Sequence, residues 1–235
     1  QAVRRRVSDQ WLAAAVLVAA TAVSGLGYWG WATIGPGAVD EVEQAETVES
    51  DPATSETEPA GVPDISLSEY RNWEAEMVID GVSVELTLNG FLAPQAVANF
   101  LALSQDGFFD NTSCHRLTTE GIFVLQCGDP EGTGTGGPDY RFGPIENAPE
   151  DDVYERGVLA MARVGNDAQS MGSQFFIVYE DSTIPSDQAG GYTVFGEITA
   201  GLDQLQADVV DLGTVDGVSD GEPVAPAVIS SITIR

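Results

Sequence analysis

Apolar and polar positions divide the chain into three parts. Residues 11–34 are mostly apolar and include no charged side chain, and about 20 such residues in a helix span the ~30 Å hydrocarbon layer of a membrane. Residues 35–66 consist mainly of Gly, Pro, Ser, Thr, Ala and acidic residues, a composition typical of an extended, disordered tether. Across residues 67–235 short apolar runs alternate with turn residues, which predicts one folded domain.

The pattern within residues 67–235 predicts a mainly β domain. Residues 74–79 and 82–88 alternate around Asp80-Gly81, a dipeptide typical of a type I′ hairpin turn. Eight strands without βαβ alternation favour a closed antiparallel barrel capped by two helices, because closure removes exposed strand edges. Besides the hairpin, the runs predict helices at residues 96–103 and 202–210, and strands at 113–117, 122–127, 157–162, 174–179, 193–199 and 227–234.

Charges that flank the apolar run predict its orientation. Arg4, Arg5 and Arg6 precede it and acidic residues follow it. Because basic flanks stay in the cytoplasm, residues 1–10 are expected to be cytoplasmic, residues 11–34 to form one transmembrane helix, and the domain to lie outside. A cleaved signal peptide is the alternative, although the run exceeds the ~7 to 15 apolar residues usual for such a signal.

The composition excludes several function classes. Nine arginines and no lysine stand against 37 acidic residues, a formal net charge of −28, the opposite of what binding to nucleic-acid phosphates requires. One histidine and two cysteines cannot build a tetrahedral zinc site. The glycine-rich residues 132–137 lack the Lys-Ser/Thr pair of a phosphate-binding loop. We therefore expect no nucleic-acid partner and no metal site.

A group of segments in a fixed order carries the most specific signal. The segments are Ala93-Pro94 with VANFL at 97–101, CHR at 114–116, FVLQCGDP at 123–130 followed by GTGTGG, LAMA at 159–162, GSQFFI at 172–177 and YTVFG at 192–196. Over residues 70–235 these segments resemble the cyclophilin family of peptidyl-prolyl cis–trans isomerases, in particular a bacterial, membrane-anchored member. The resemblance implies an eight-stranded barrel with two helices, a monomeric catalytic domain without a cofactor, and isomerisation of X-Pro bonds in polypeptides.

The resemblance also implies which residues form the site. The family's catalytic arginine falls on Arg116, and the glutamine beside it falls on Gln126. Phe123 and Phe176 correspond to the aromatic floor of a proline pocket. The other implied substrate-binding residues are Val124, Ala162, Arg163, Gln174, Ile184 and Tyr192.

The chemistry of the reaction explains the arginine. Rotation about an X-Pro bond meets a barrier near 20 kcal/mol, because the amide is conjugated. In the twisted state the proline nitrogen loses conjugation and can accept a hydrogen bond, so a fixed guanidinium binds that state better than either planar state. We expect the protein to act on proline-containing polypeptides outside the cytoplasm and to assist their folding near the membrane.

The sequence leaves two questions open, namely whether the domain is an enzyme or a binding module and whether its cysteines are bonded. Val124 and Arg163 replace a methionine and an asparagine common in the family, and they fit a proline-peptide binding or chaperone module with little catalysis. Arg116 and Gln126 instead favour the enzyme. Cys114 and Cys127, 13 residues apart on strands expected to be adjacent, can form a disulfide in an oxidising compartment only if both side chains share one face.

Overall fold

Residues 60–235 are the part of the chain that the structure, a computed structural model, describes. The transmembrane helix predicted at residues 11–34 and most of the acidic tether lie outside the described residues, so both stay predictions. Within residues 60–235 no helix has the length and apolar character needed to cross a membrane.

Residues 60–235 contain twelve β-strands and two α-helices, which confirms the mainly β interpretation. Short 3₁₀ helices lie at Ile65–Ser68, Val210–Leu212 and Val215–Gly217. The strands and α-helices are β1 (Asn72–Ile79), β2 (Val82–Asn89), α1 (Pro94–Gln105), β3 (Thr112–Ser113), β4 (Arg116–Thr118), β5 (Val124–Cys127), β6 (Val153–Tyr154), β7 (Val158–Met161), β8 (Phe175–Val178), β9 (Ser182–Thr183), β10 (Val194–Ala200), α2 (Leu202–Asp208), β11 (Asp220–Gly221) and β12 (Val228–Ile234).

Ten of these strands form one antiparallel sheet in the order β11-β4-β5-β8-β7-β10-β2-β1-β12-β3, and β6 pairs with β9. Among the described residues no ladder joins β11 to β3. The mainly β sheet with two helices is therefore confirmed, whereas its closure into an eight-stranded barrel stays a prediction. The predicted strands and helices are all present, and β6, β9 and β11 are additional two-residue strands.

The strand predicted at residues 113–117 is divided because the chain changes partners inside it. The Cys114 N–H donates to the Ala227 carbonyl at 2.9 Å, next to β12, whereas the His115 N–H donates to the Gln126 carbonyl on β5 at 3.0 Å. β3 therefore pairs with β12 and β4 pairs with β5. This change of partner places Arg116 directly opposite Gln126.

The β1–β2 hairpin forms as predicted. Asp80 and Gly81 both have positive φ values, 47° and 81°, as a type I′ turn requires. The Asp80 carboxylate also accepts the N–H groups of Ala227 and Val228, at 2.8 and 3.0 Å, and so links the turn to the start of β12.

Alternation along the strands separates a main core from a smaller cluster. Phe175 on β8 lies in the main core, where its ring centroid is 5.6 Å from that of Phe100 on α1. Phe176, the next residue, faces the opposite side of the sheet and belongs to a second buried cluster with Val124, Tyr154 and Ile184. The candidate site is built on this second face.

Candidate active site

A cavity of about 210 Å³ opens over the second buried cluster, and we call it the Arg116 cavity. It contains eight of the ten residues that the family resemblance assigned to the catalytic and substrate-binding sites. Its lining consists of Arg116, Ile122, Val124, Gln126, Ala162, Arg163, Phe176, Ile184 and Tyr192.

One side of the Arg116 cavity is apolar. Val124, Phe176 and Ile184 are all buried there. The Phe176 and Tyr192 rings pack edge to face, with centroids 5.5 Å apart and planes at 81°, a geometry favoured by aromatic quadrupoles. An apolar ring can be held here by area burial.

The Arg116 guanidinium is fixed by two partners. Nε and Nη2 donate to the two carboxylate oxygens of Asp220 at 2.8 and 2.9 Å, and Nη1 donates to Gln126 Oε1 at 3.2 Å. Hydrogen bonding to Asp220 raises the pKa of Arg116 and lowers the pKa of Asp220. The guanidinium therefore stays charged and has a defined orientation.

Gln126 is oriented in turn by Gln174. The Gln126 amide donates to Gln174 Oε1 at 2.9 Å, and the Gln174 amide donates to the Gly136 carbonyl at 2.9 Å. These bonds assign which end of each amide faces its neighbour. Gln174 itself lines an adjacent cavity of about 270 Å³, which shares Gln126, Ala162 and Arg163 with the Arg116 cavity.

Phe123 does not line the Arg116 cavity, which corrects its assignment to the pocket floor. Gln126 and Val124 face the cavity, so Phe123, three residues from Gln126, faces the other way. Its ring packs 5.9 Å from that of Tyr179 and lines a separate cavity of about 390 Å³. Ile122, four residues from Gln126, takes the position on the Arg116 cavity. Ile122 could have been identified from the sequence as a cavity residue, because residues an even number of positions apart on a strand face the same side.

Arg163 is part of the wall rather than an exposed contact for a peptide. Its side chain is only 1% exposed. It forms two bonds of 2.9 Å to the Asp187 carboxylate and donates to the carbonyls of Gly190 and Gly191. The guanidinium carbon also lies 4.8 Å from the Tyr192 ring centroid, a favourable cation–π distance. Arg163 thus holds the loop that carries Tyr192.

Cys114 and Cys127 form a disulfide in the structure. The bond ties the end of β5 to the residues just before β4. It therefore braces the two strands that carry Gln126 and Arg116.

His115 lies next to Arg116 in the sequence but does not line the Arg116 cavity. Both of its ring nitrogens are buried without a hydrogen-bond partner among the described residues, and burial lowers its pKa.

Comparisons with known proteins agree with this geometry. The family model for cyclophilin type peptidyl-prolyl cis-trans isomerases matches residues 75–234. A probable peptidyl-prolyl cis-trans isomerase B of Mycobacterium tuberculosis is 42% identical over 170 residues, covering 67% of this chain and 53% of that protein. Peptidyl-prolyl cis-trans isomerase B of Bacillus subtilis is 43% identical over 125 residues, covering 53% of this chain and 81% of that protein.

A solved structure shows the same fold. The crystal structure of a cyclophilin type isomerase of Cryptosporidium parvum superimposes with a TM-score of 0.59 at 31% identity, covering 70% of this chain and 98% of that one. The chain spans about half the length of the mycobacterial relatives that it matches. From the family match, the shared fold and the arrangement of Arg116 and Gln126, we conclude that this chain belongs to the cyclophilin family.

Proposed function

We propose that the protein is a peptidyl-prolyl cis–trans isomerase that acts on X-Pro bonds of polypeptides outside the cytoplasm. One observation carries the proposal: a fixed, charged Arg116 guanidinium borders the same cavity as the apolar walls formed by Val124 and Phe176. The names of the relatives agree with this activity.

The geometry supplies both requirements of the reaction. The apolar walls hold the pyrrolidine ring while the acyl side of the bond rotates. A guanidinium has five N–H groups, of which Asp220 binds two and Gln126 binds one. The remaining two can donate to the substrate, and a bond to the proline nitrogen is strongest in the twisted state, which lowers the barrier. No covalent bond forms or breaks.

Two features support a location outside the cytoplasm. The basic residues before the apolar run at 11–34 predict that the domain is exported. The disulfide between Cys114 and Cys127 suits an oxidising compartment, where such bonds persist. We infer a single-pass protein of the cell membrane that assists the folding of newly exported polypeptides from an acidic tether.

Arg116→Ala tests the activity. In a protease-coupled assay with a prolyl peptide, we expect the full chain to be active and the variant to lose about 10²-fold in kcat/KM, equivalent to ~3 kcal/mol of transition-state stabilisation. Arg116→Lys should recover only part of the loss, because a point charge does not reproduce the planar fork. Arg156→Ala is the matched control, since Arg156 forms an exposed ion pair with Asp203.

The same assay separates the enzyme from a binding module. A binding or chaperone module predicts slow isomerisation by the wild type, little further loss in Arg116→Ala and retained affinity for proline peptides. An active enzyme that does not need Arg116 would contradict the proposed mechanism. Unfolding curves for each variant show whether the fold is intact.

A further inference from the structure

The carboxylate that holds the catalytic guanidinium comes from a distant part of the chain. Asp220 lies 104 residues from Arg116 and meets it through two parallel bonds of 2.8 and 2.9 Å. Such bidentate pairing fixes the plane of a guanidinium as well as its position. Neither the motif segments nor the charge pattern of the sequence indicates this contact.

The backbone around Asp220 holds its carboxylate in place. Asp220 and Gly221 form β11, which pairs with Thr118 and Leu117 of β4. The Thr119 N–H donates to the Ser219 carbonyl at 2.8 Å, one residue before Asp220. Asp220 is therefore attached to the strand that begins with Arg116.

The base of the segment that carries Asp220 is also closed by backbone bonds. The Val215 N–H donates to the Glu222 carbonyl at 2.8 Å, and the Val224 N–H donates to the Gly213 carbonyl at 2.9 Å. These bonds bring residues 213–224 back on themselves beside β4. The carboxylate is consequently in position before any substrate binds.

Arg116 needs such a partner because its side chain is 39% exposed. A long side chain exposed to this extent samples many rotamers, and ordering it during the reaction would cost free energy. Gln126 holds only Nη1, whereas Asp220 holds Nε and Nη2. Together the two partners restrain the guanidinium from two sides, as a preorganised electrostatic site requires.

We propose that Asp220 is a positioning residue for isomerisation, which holds the Arg116 guanidinium so that the two N–H groups bound by neither Asp220 nor Gln126 face the substrate. The proposal rests on the proposed isomerase function. Asp220 itself is 55% exposed, and exposed ion pairs contribute little to stability. Its removal should therefore affect turnover far more than folding.

Asp220→Asn in the full chain tests this role. Asparagine keeps the shape of aspartate, but only its amide oxygen can accept a hydrogen bond, so one of the two bonds to Arg116 is lost. We expect kcat/KM for a prolyl peptide to fall about tenfold, through kcat rather than KM, since Arg116 acts mainly on the twisted state. Asp203→Asn is the matched control: it removes the same charge and an exposed ion pair with Arg156, and it should leave both constants unchanged. Urea unfolding midpoints should be similar for both variants.

A double-mutant cycle with Arg116→Ala completes the test. If Asp220 acts through Arg116, then Asp220→Asn should cause no further loss once Arg116 is absent. Losses that multiply, or a single Asp220→Asn variant as fast as or faster than the wild type, would overturn the positioning role. Absence of isomerisation by the wild type would overturn the proposed function as well, so the two failures are distinguishable.

Discussion

Phe176 and Phe123 contribute aromatic rings to opposite faces of the sheet. Phe176→Ala removes an apolar wall of the Arg116 cavity, so we expect weaker prolyl-peptide binding and about tenfold lower kcat/KM, because a wall holds ground and transition states alike. Phe123→Ala is the control, since that ring packs against Tyr179 on the other face. It should lower the free energy of unfolding while peptide affinity is retained.

Peptide titrations and urea unfolding of the two phenylalanine variants separate these effects. Loss of peptide affinity in Phe123→Ala, with Phe176→Ala unaffected, would show that the faces are assigned the wrong way round. Equal losses of affinity in both would indicate an indirect effect of destabilisation.

Asp187 gives the stability of the Tyr192 loop a pH dependence. Hydrogen bonds from Arg163 and from the N–H groups of Asn166 and Ala189 hold the pKa of Asp187 well below its usual value of 3.8. A lowered carboxylate pKa stabilises the fold above the unfolded-state pKa, and that contribution is lost as pH falls below about 4. The stability advantage of the wild type over Asp187→Asn should therefore be constant near neutral pH and shrink below pH ~4.

Urea unfolding between pH 3 and 7 measures the effect of Asp187. Asp216→Asn is the control for net charge, because Asp216 forms no ion pair within residues 60–235. If the difference in free energy of unfolding between wild type and Asp187→Asn does not change with pH down to pH 3, the lowered pKa of Asp187 is contradicted.

The sequence indicated the site residues that lie inside continuous motifs, and it missed those that only the fold brings together. Arg116, Gln126 and Phe176 lie in segments with a recognisable order. Asp220 and Asp187 do not, since they reach their arginines across 104 and 24 residues from segments too short or irregular to show periodicity. Phe123 was misassigned because an odd offset from Gln126 reverses the face of a strand.

Among the elements, the β4–β5 pair depends on a covalent brace. Cys114 and Cys127 are the two cysteines of the chain, so a reducing agent acts on this bond alone. Breaking a bridge across a loop of 13 residues should lower the free energy of unfolding by about 2–3 kcal/mol, because the unfolded chain regains conformational entropy. Urea unfolding with and without dithiothreitol measures the loss.

The double variant Cys114→Ser/Cys127→Ser provides the control for reduction. Its free energy of unfolding should equal that of the reduced wild type and should not change when dithiothreitol is added. Two free thiols in non-reduced, denatured wild-type protein would show instead that the bridge does not form.

Long elements were predictable and two-residue strands were not. β1, β2, β10 and β12 each span seven or eight residues, enough for alternation to be visible. β6, β9 and β11 have two residues each, too few for an alternation of apolar and polar positions to be visible. β11 is nevertheless the strand that brings Asp220 to the site.

In the domain as a whole, acidic residues far outnumber basic ones. Residues 60–235 contain six arginines and 28 acidic residues, a formal net charge of −22, and five of those arginines form ion pairs. Repulsion among the remaining carboxylates should destabilise the domain at low ionic strength. Its Tm should rise between dilute buffer and ~1 M NaCl, where the Debye length falls to ~3 Å.

Calorimetry over a series of NaCl concentrations checks the charge effect. Screening should produce most of the rise below about 0.5 M, since the Debye length shortens little beyond that point. A constant Tm, or a rise that continues in proportion to salt, would contradict repulsion as the cause.

The position of β12 has a consequence for the order in which the protein can be made. β12 lies between β1 and β3, with Ile234 opposite Ala75, so the first strand of the domain pairs with the last. A chain that is synthesised from its N-terminus exposes β1 long before this partner is available. The sheet can be completed only after residue 234 has emerged, so until then one edge of β1 must be kept from pairing with other chains.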